Sequence, residues 1–110
     1  MTVEQVKETL NLRLLAGEAG LSREVTGCYV GDLLSWVMGR ASEGDAWLTV
    51  MGNINAIAVS TLADTACIIL TENAPLDGDA AKKAEIHGVA VLQTEESGYR
   101  MALRFGELLR

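Results

Sequence analysis

The chain has 110 residues, which suits one domain; 49% of its residues are hydrophobic and 22% are charged, the balance of a protein with a real core. Its net charge of −6 and pI of about 4.6 disfavour nucleic-acid binding, because an acidic surface repels phosphate backbones. The polar start MTVEQVKETL is unlike a secretion signal, and no apolar run reaches the roughly 20 residues of a membrane span. We therefore expect a cytoplasmic domain that contacts neither membranes nor nucleic acid.

The first half of the chain predicts a helix, two strands, a second helix and a buried strand. Val3, Val6 and Leu10 recur at helical spacing after Thr2, a good N-cap residue. The second helix follows Asp32, which we expect to cap it. In chain order the predicted bounds are helix 2–10, strand 11–17, strand 24–32, helix 33–41 and strand 47–51.

The second half predicts three helices that alternate with two strands. Ile54, Ile57, Ala58 and Leu62 share one helical stripe, which we expect to face the core. Gly88 suits the C-terminal cap of the fourth helix. The predicted bounds are helix 53–66, strand 67–71, helix 79–88, strand 89–94 and helix 96–110.

This alternation predicts a single α/β domain over residues 1–110, with a mostly parallel central sheet of about five strands and helices on both faces. Ligands of such folds bind just beyond the carboxyl ends of the strands. The turns expected there supply the predicted ligand-binding residues, which are Asp32, Gly52, Asn53, Asn55, Thr71, Asn73 and Thr94.

The stretch VMGNINAIAV admits two interpretations of its polar turn. Asn53 follows Gly52 at the expected start of a helix, where an Asn side chain is a good N-cap. The same helix N-terminus offers free N–H groups to an anion. The sequence leaves both roles open.

Catalytic motifs are absent from the sequence. It lacks a GxxxxGK[ST] loop, a GxGxxG fingerprint and a GxSxG elbow, and it has a single histidine, His87, at the end of a predicted helix. We therefore predict no enzyme, no metal and no cofactor, with substrate positioning by Asp32, Asn53 and Asn55 as the less favoured alternative.

The cysteines and tryptophans are predicted to be structural. Cys28 and Cys67 lie in apolar segments without CxxC spacing, which favours buried free thiols over a disulfide. Trp36 and Trp47 are expected to be core anchors, because the chain is poor in aromatic residues.

Two segments, VTGCYVGDLLSWVM and the run from GDAWLTV to ALRF, resemble a DRTGG domain. The resemblance covers roughly residues 25–106 and extends to the N-terminal domain of HPr kinase/phosphorylase. It rests on an apolar strand, a loop from Thr71 to Pro75, an acidic helix, the strand GVAVL and then Thr94. DRTGG domains occur beside CBS domains in regulated pyrophosphatases and in some phosphotransacetylases, so the resemblance implies a regulatory module.

The chain departs from the family pattern at two places. Many members carry a Gly-Asp-Arg turn after the third strand, whereas this chain has Gly52-Asn53-Ile54-Asn55, and the name-giving DRTGG string is absent. The P-loop domain that carries HPr kinase catalysis is also missing.

The resemblance and the absence of catalytic motifs together predict a non-catalytic regulatory or ligand-sensing module that binds a nucleotide-like or other small anionic metabolite. Homodimers are the commonest assemblies, so a second copy of the chain is the expected partner. The alternative is a protein-interaction or scaffold domain that uses the helix NINAIAVSTLADTA and the last helix. Free-standing DRTGG-like proteins encoded near iron-only hydrogenase components suggest such a complex as its context.

Overall fold

Residues 1–110, all of which are described by the computed structural model, form five α-helices and five strands. A short 3₁₀ turn, Glu18–Ser22, lies between the first two strands and has no counterpart among the predicted elements. The helices are α1 Val3–Leu10, α2 Leu34–Arg40, α3 Ile54–Ala63, α4 Gly78–His87 and α5 Gly98–Leu109. The strands are β1 Arg13–Ala16, β2 Gly27–Val30, β3 Asp45–Thr49, β4 Cys67–Leu70 and β5 Val91–Gln93.

The five strands form one sheet in the order β1-β5-β4-β3-β2. Strands β2, β3, β4 and β5 are parallel to one another, whereas the edge strand β1 runs antiparallel to β5. Every residue of β3 and β4 is buried because helices cover both faces of these strands. The predicted fold class, a mostly parallel five-stranded sheet between helices, is confirmed.

Helices cover both faces of the sheet. The crossovers β2-α2-β3, β3-α3-β4 and β4-α4-β5 advance in one direction, and crossovers of the same right-handed sense place their helices on the same face. One buried cluster accordingly contains residues of α2, α3 and α4, such as Val37, Ile57 and Ala80, packed with Trp47. The opposite cluster contains residues of α1 and α5, such as Val6 and Phe105.

Three helix ends follow the predicted capping chemistry. The Thr2 hydroxyl accepts from Gln5 N, and the Gln5 side chain accepts from Thr2 N, which completes a capping box. The Asn53 side chain accepts from Ala56 N, so the predicted cap of α3 is confirmed. Gly88 ends α4 with φ 64°, in the left-handed region that favours glycine.

The predicted stripe of α3 is correct for Ile57, which is buried, and Ile54, which packs against the core, but wrong for Ala58 and Leu62. The residues that α3 buries are Ala56, Ile57, Val59 and Ser60, whereas Leu62 is 71% exposed. The helix is apolar around nearly its whole circumference, so its sequence lacks the contrast between faces from which a core stripe is inferred.

The two tryptophans have different environments. Trp47 is fully buried and its indole N–H donates to the Gly31 carbonyl at 2.8 Å. Trp36 is 52% exposed, and the Arg40 guanidinium lies 3.7 Å from its ring centroid. The predicted core role of Trp36 is wrong, because the core-facing residue of α2 is its neighbour Val37, about 100° away around the helix.

None of the helices combines the length and apolar character needed to cross a membrane.

Candidate functional site

All seven predicted ligand-binding residues follow parallel strands, so they lie at the same end of the sheet, beyond the carboxyl ends of β2 to β5. Asp32 follows β2, Gly52 to Asn55 follow β3, Thr71 and Asn73 follow β4, and Thr94 follows β5. Strand β1 is antiparallel to β5, so it begins where the parallel strands end, with Arg13 opposite Gln93. On the β2–β3 side the predicted residues make structural contacts, whereas Thr94 lines a polar cavity beside β5.

Asp32 joins the ends of β2 and β3. Its carboxylate oxygen accepts hydrogen bonds from the Thr49 hydroxyl at 2.8 Å and from Val50 N at 3.0 Å. The predicted helix cap is therefore wrong, since the N-cap residue of α2 is Leu33 and no side chain caps that helix. The short-range cap was predicted from chain order, whereas the observed contacts depend on the pairing of β2 with β3.

Gly52 lies where the turn after β3 meets the loop after β4. A Cβ atom on Gly52 would lie 1.9 Å from the Pro75 carbonyl oxygen, and the Gly52 carbonyl accepts from Asp77 N at 2.8 Å. The Asn53 side chain is occupied by the helix cap. Asn55 is exposed in the first turn of α3. The turn is therefore a packing junction, and its contact with a ligand stays a prediction.

The loops after β4 and β5 diverge toward opposite faces of the sheet. The β4 loop leads to α4, whereas the β5 loop leads to α5, and such a divergence is where ligands bind in open α/β sheets. Here the two loops also bond to each other, because Asn73 N donates to the Thr94 carbonyl and Glu72 N to the Glu96 carbonyl, each at 2.8 Å. Thr71 and Thr94 are buried at this junction. Three predicted residues, Thr71, Asn73 and Thr94, are thus brought together.

Arg13 is the residue near the carboxyl ends of β4 and β5 that sequence reasoning missed. Its Nε donates to Gln93 Oε1 at 3.1 Å and its Nη2 to Asn73 Oδ1 at 2.6 Å, and Gln93 Nε2 donates in turn to the Ala74 carbonyl. The Arg13 Nη1 group makes no hydrogen bond and lies 4.0 Å from Glu95 Oε1. The guanidinium is therefore held in a fixed orientation with two N–H donors left over.

A polar cavity of about 320 Å³ lies beside this arginine, between the start of β1, the end of β5 and helix α5. Arg104 is already engaged in it, since its guanidinium binds Glu96 and donates to the Leu10 carbonyl. Glu95 is mostly exposed and is free to move away from Arg13. The cavity can therefore present unpaired guanidinium donors to a small anion. Its lining consists of Leu10, Asn11, Arg13, Gln93, Thr94, Glu95, Glu96 and Arg104.

The thiols are poorly suited to chemistry. Both are free, with Cys67 buried and Cys28 partly buried. Burial raises the pKa of the Cys28 thiol to about 11, with nearby Asp45 adding to the effect, and burial raises the pKa of Cys67 to about 12. No group of three or more His, Cys, Asp or Glu side chains is arranged to hold a metal ion.

We expect both thiols to react slowly with a thiol reagent in the folded protein. At pH 8 a thiol of pKa about 11 is ionised roughly a hundredfold less than a free cysteine, and the greater nucleophilicity of the more basic thiolate offsets part of this loss. Cys28 should therefore react about tenfold more slowly, and Cys67 more slowly still. The measurement is the rate of reaction with Ellman's reagent, with the protein unfolded in guanidinium as the control. Rapid reaction of either thiol in the folded state would contradict its burial and its raised pKa.

The same pKa shifts give stability a pH dependence with a definite sign. The folded state holds the thiol protons more tightly than the unfolded state. The contribution of the protonated thiols to the free energy of unfolding is therefore fully present below the ordinary pKa of 9.0. It is lost as the pH rises from 9 toward 12. Urea midpoints should therefore fall across this range, and the fall should be smaller in Cys28→Ala.

The family model of the DRTGG domain matches residues 5–108. One solved structure that the chain resembles contains the CBS and DRTGG domains of the regulatory region of Clostridium perfringens pyrophosphatase, complexed with its activator diadenosine tetraphosphate. The TM-score is 0.65 at 13% sequence identity, over 93% of this chain and 44% of that one, so the likeness is one of fold. A search among curated proteins found no match. Because the family match spans nearly every residue, the chain belongs to the DRTGG domain family.

Proposed function

We propose that this chain is a non-catalytic, ligand-sensing regulatory domain that works as a homodimer and binds a small anionic metabolite, nucleotide-like in chemistry. The binding site that we propose is the polar cavity beside Arg13. The observation that carries this proposal is the guanidinium of Arg13, which Gln93 and Asn73 hold in place while its Nη1 donors remain unused.

The charges around the cavity favour an exchange of anions at Arg13. Glu95 is 4.0 Å from the guanidinium and mostly exposed, so a ligand phosphate or carboxylate can replace it at little cost. An arginine fork matches such groups with two parallel hydrogen bonds. The pyrophosphatase regulatory region, 44% of which resembles this chain, was solved with diadenosine tetraphosphate, which supports a nucleotide as the first compound to test.

The proposed non-catalytic role is supported by how the residues of the alternative catalytic hypothesis are used. The Asp32 carboxylate holds Thr49 and Val50, and the Asn53 side chain caps α3. Both side chains therefore have structural partners in the folded protein.

A protein-interaction domain is the second candidate. The two helices on which that prediction depends, α3 and α5, lie on opposite faces of the sheet. Their exposed apolar residues, including Leu62 and Leu103, therefore do not form one surface. We place this candidate behind ligand sensing for that reason.

A thermal-shift series tests the proposed site. The compounds are inorganic phosphate, pyrophosphate, AMP, ATP and diadenosine tetraphosphate, with sodium chloride at matched ionic strength. A ligand present at 100 times its Kd stabilises the folded state by about 2.7 kcal/mol, which raises the midpoint of a domain of this size by about 10 °C. We expect at least one compound to do so.

Arg13→Gln should weaken this response, because the charged hydrogen bonds that it removes are worth about 1.5–3 kcal/mol, or roughly 10- to 100-fold in affinity. Arg100→Gln is the matched control, since Arg100 is exposed on α5 and forms no ion pair. The shift upon ligand addition is compared for each variant, so any change in basal stability cancels. The proposal fails if no compound stabilises the protein or if Arg13→Gln responds like Arg100→Gln.

A further inference from the structure

The two edges of the sheet differ in how they are protected. Edge strand β1 carries the charged Arg13, and its pairing with β5 shifts register between Leu14 and Ala16. Charges and bulges of this kind discourage an edge from pairing with another chain. Edge strand β2, with the sequence GCYV, has neither a charge nor a proline, and its ladder with β3 is regular. The β2 edge is therefore open to a further strand.

Exposed apolar side chains continue from this edge onto α2. Val30, Leu33 and Trp36 are 54%, 59% and 52% exposed. Leu33, Trp36 and Arg40 follow one another at helical spacing, and the guanidinium of Arg40 stacks on the Trp36 ring. We call strand β2 together with Val30, Leu33, Trp36 and Arg40 the β2–α2 surface. Large exposed apolar groups in one place mark an interaction site.

Charge indicates which partner fits this surface. Between Gly27 and Gly39 the only charged side chain is Asp32, in a chain whose net charge of −6 makes two copies repel over most of their surfaces. Asp32 precedes α2 and Arg40 ends it. When two copies of α2 lie antiparallel, Arg40 of each is placed toward Asp32 of the other, so the surface is complementary to itself.

We propose that the β2–α2 surface is a two-fold interface between two copies of this chain. In this arrangement β2 pairs antiparallel with β2 of the second copy, which joins two five-stranded sheets into one of ten strands. The exposed indole of Trp36 becomes the buried centre of the interface, the position where tryptophan contributes most to binding. This inference specifies the surface through which the proposed homodimer forms. It does not depend on the ligand cavity, which lies near the opposite edge strand, β1.

Sedimentation and fluorescence test the interface. We expect a dimer of twice the 11.8 kDa chain mass that dissociates on dilution, with Trp36 emission moving to longer wavelength as it does. Trp47 is buried in both states, so Trp36→Phe should abolish this change in emission. Trp36→Glu should raise the dissociation constant of the dimer at least about 30-fold, as expected for a central interface tryptophan.

Tyr99→Glu is the matched control, because Tyr99 is 74% exposed on α5, which covers the face of the sheet opposite α2. Leu33→Glu provides a second variant at the interface, and far-UV circular dichroism checks that each variant folds. A chain that is monomeric at every concentration, or a dimer that Trp36→Glu and Leu33→Glu leave intact, overturns the interface. The ligand response of Arg13→Gln is measured separately on the same preparations, so failure of the interface and failure of the ligand site are distinguishable.

Discussion

Gly52→Ala lowers the free energy of unfolding by about 3 kcal/mol, near the upper end for the insertion of one methyl group into a packed site. The reason is the close approach of two loops: the new Cβ would lie 1.9 Å from the Pro75 carbonyl oxygen, and backbone cannot yield as a flexible side chain can. Relief of the clash also strains the hydrogen bond from Asp77 N to the Gly52 carbonyl, just before α4. Urea denaturation of the two proteins measures the difference.

Gly106→Ala is the control for this substitution. Gly106 is exposed within α5, and a Cβ there would meet nothing within 4 Å. Alanine is the better helix former by about 1 kcal/mol, so Gly106→Ala should stabilise the protein. If Gly52→Ala is as stable as wild type, the loops after β3 and β4 can move apart at little cost, which contradicts a tightly packed junction.

Trp47→Ala should cost about 3–5 kcal/mol, the range for large aromatic residues in a core. The ring is fully buried under α2 and α3, and its N–H donates to the Gly31 carbonyl, which the substitution leaves without this partner. A domain of this size has a total stability of about 5–15 kcal/mol, so the variant will be largely unfolded at moderate urea concentrations.

Trp36→Ala is the matched comparison, because the same side chain is lost from an exposed site. Its cost should be about 1 kcal/mol or less when measured at concentrations where the chain is monomeric. Equal losses for the two variants would show that Trp36 also anchors the core, as its sequence context predicted.

The sequence predicted the sheet because its signals are local. Continuous apolar strands separated by capped helices require a mostly parallel sheet, and the caps at Thr2, Asn53 and Gly88 formed as their residue types dictate. The third predicted strand, 47–51, forms two residues earlier, at Asp45–Thr49, and the other four predicted strands are longer than the observed ones. For example, strand 89–94 was expected, whereas β5 is Val91–Gln93.

The candidate site was only partly predictable, because its contacts link distant parts of the chain. Arg13 and Gln93 are 80 positions apart, and they meet only because β1 pairs antiparallel with β5. The rule that ligands bind beyond the carboxyl ends of strands predicted Asn73 and Thr94. It does not cover an antiparallel strand such as β1, which has its amino end at the same place. A charged residue at the start of a predicted edge strand is the signal by which the counterpart of Arg13 can be found in other sequences.

Helix α2 shows a second limit of local pattern. Leu33, Trp36 and Val37 are all apolar, and the sequence does not distinguish the residue that faces the sheet from those that face outward. That distinction depends on the angle at which the helix lies on the sheet, which is set by contacts with α3 and β3. The exposed positions are the ones that we assign to the dimer interface.

An NMR titration tests the central claim, which is a ligand site at the Arg13 cavity. The ¹H–¹⁵N spectrum is recorded while the nucleotide that gives the largest rise in thermal midpoint is added. We predict that the largest shifts fall on the backbone amides of Arg13, Asn73 and Gln93 to Glu96, and that the Arg13 side-chain Nε–H resonance moves with them. Shifts centred on Gly52 to Asn55 with the Arg13 resonances unchanged would contradict this account and place the ligand at the turn before α3.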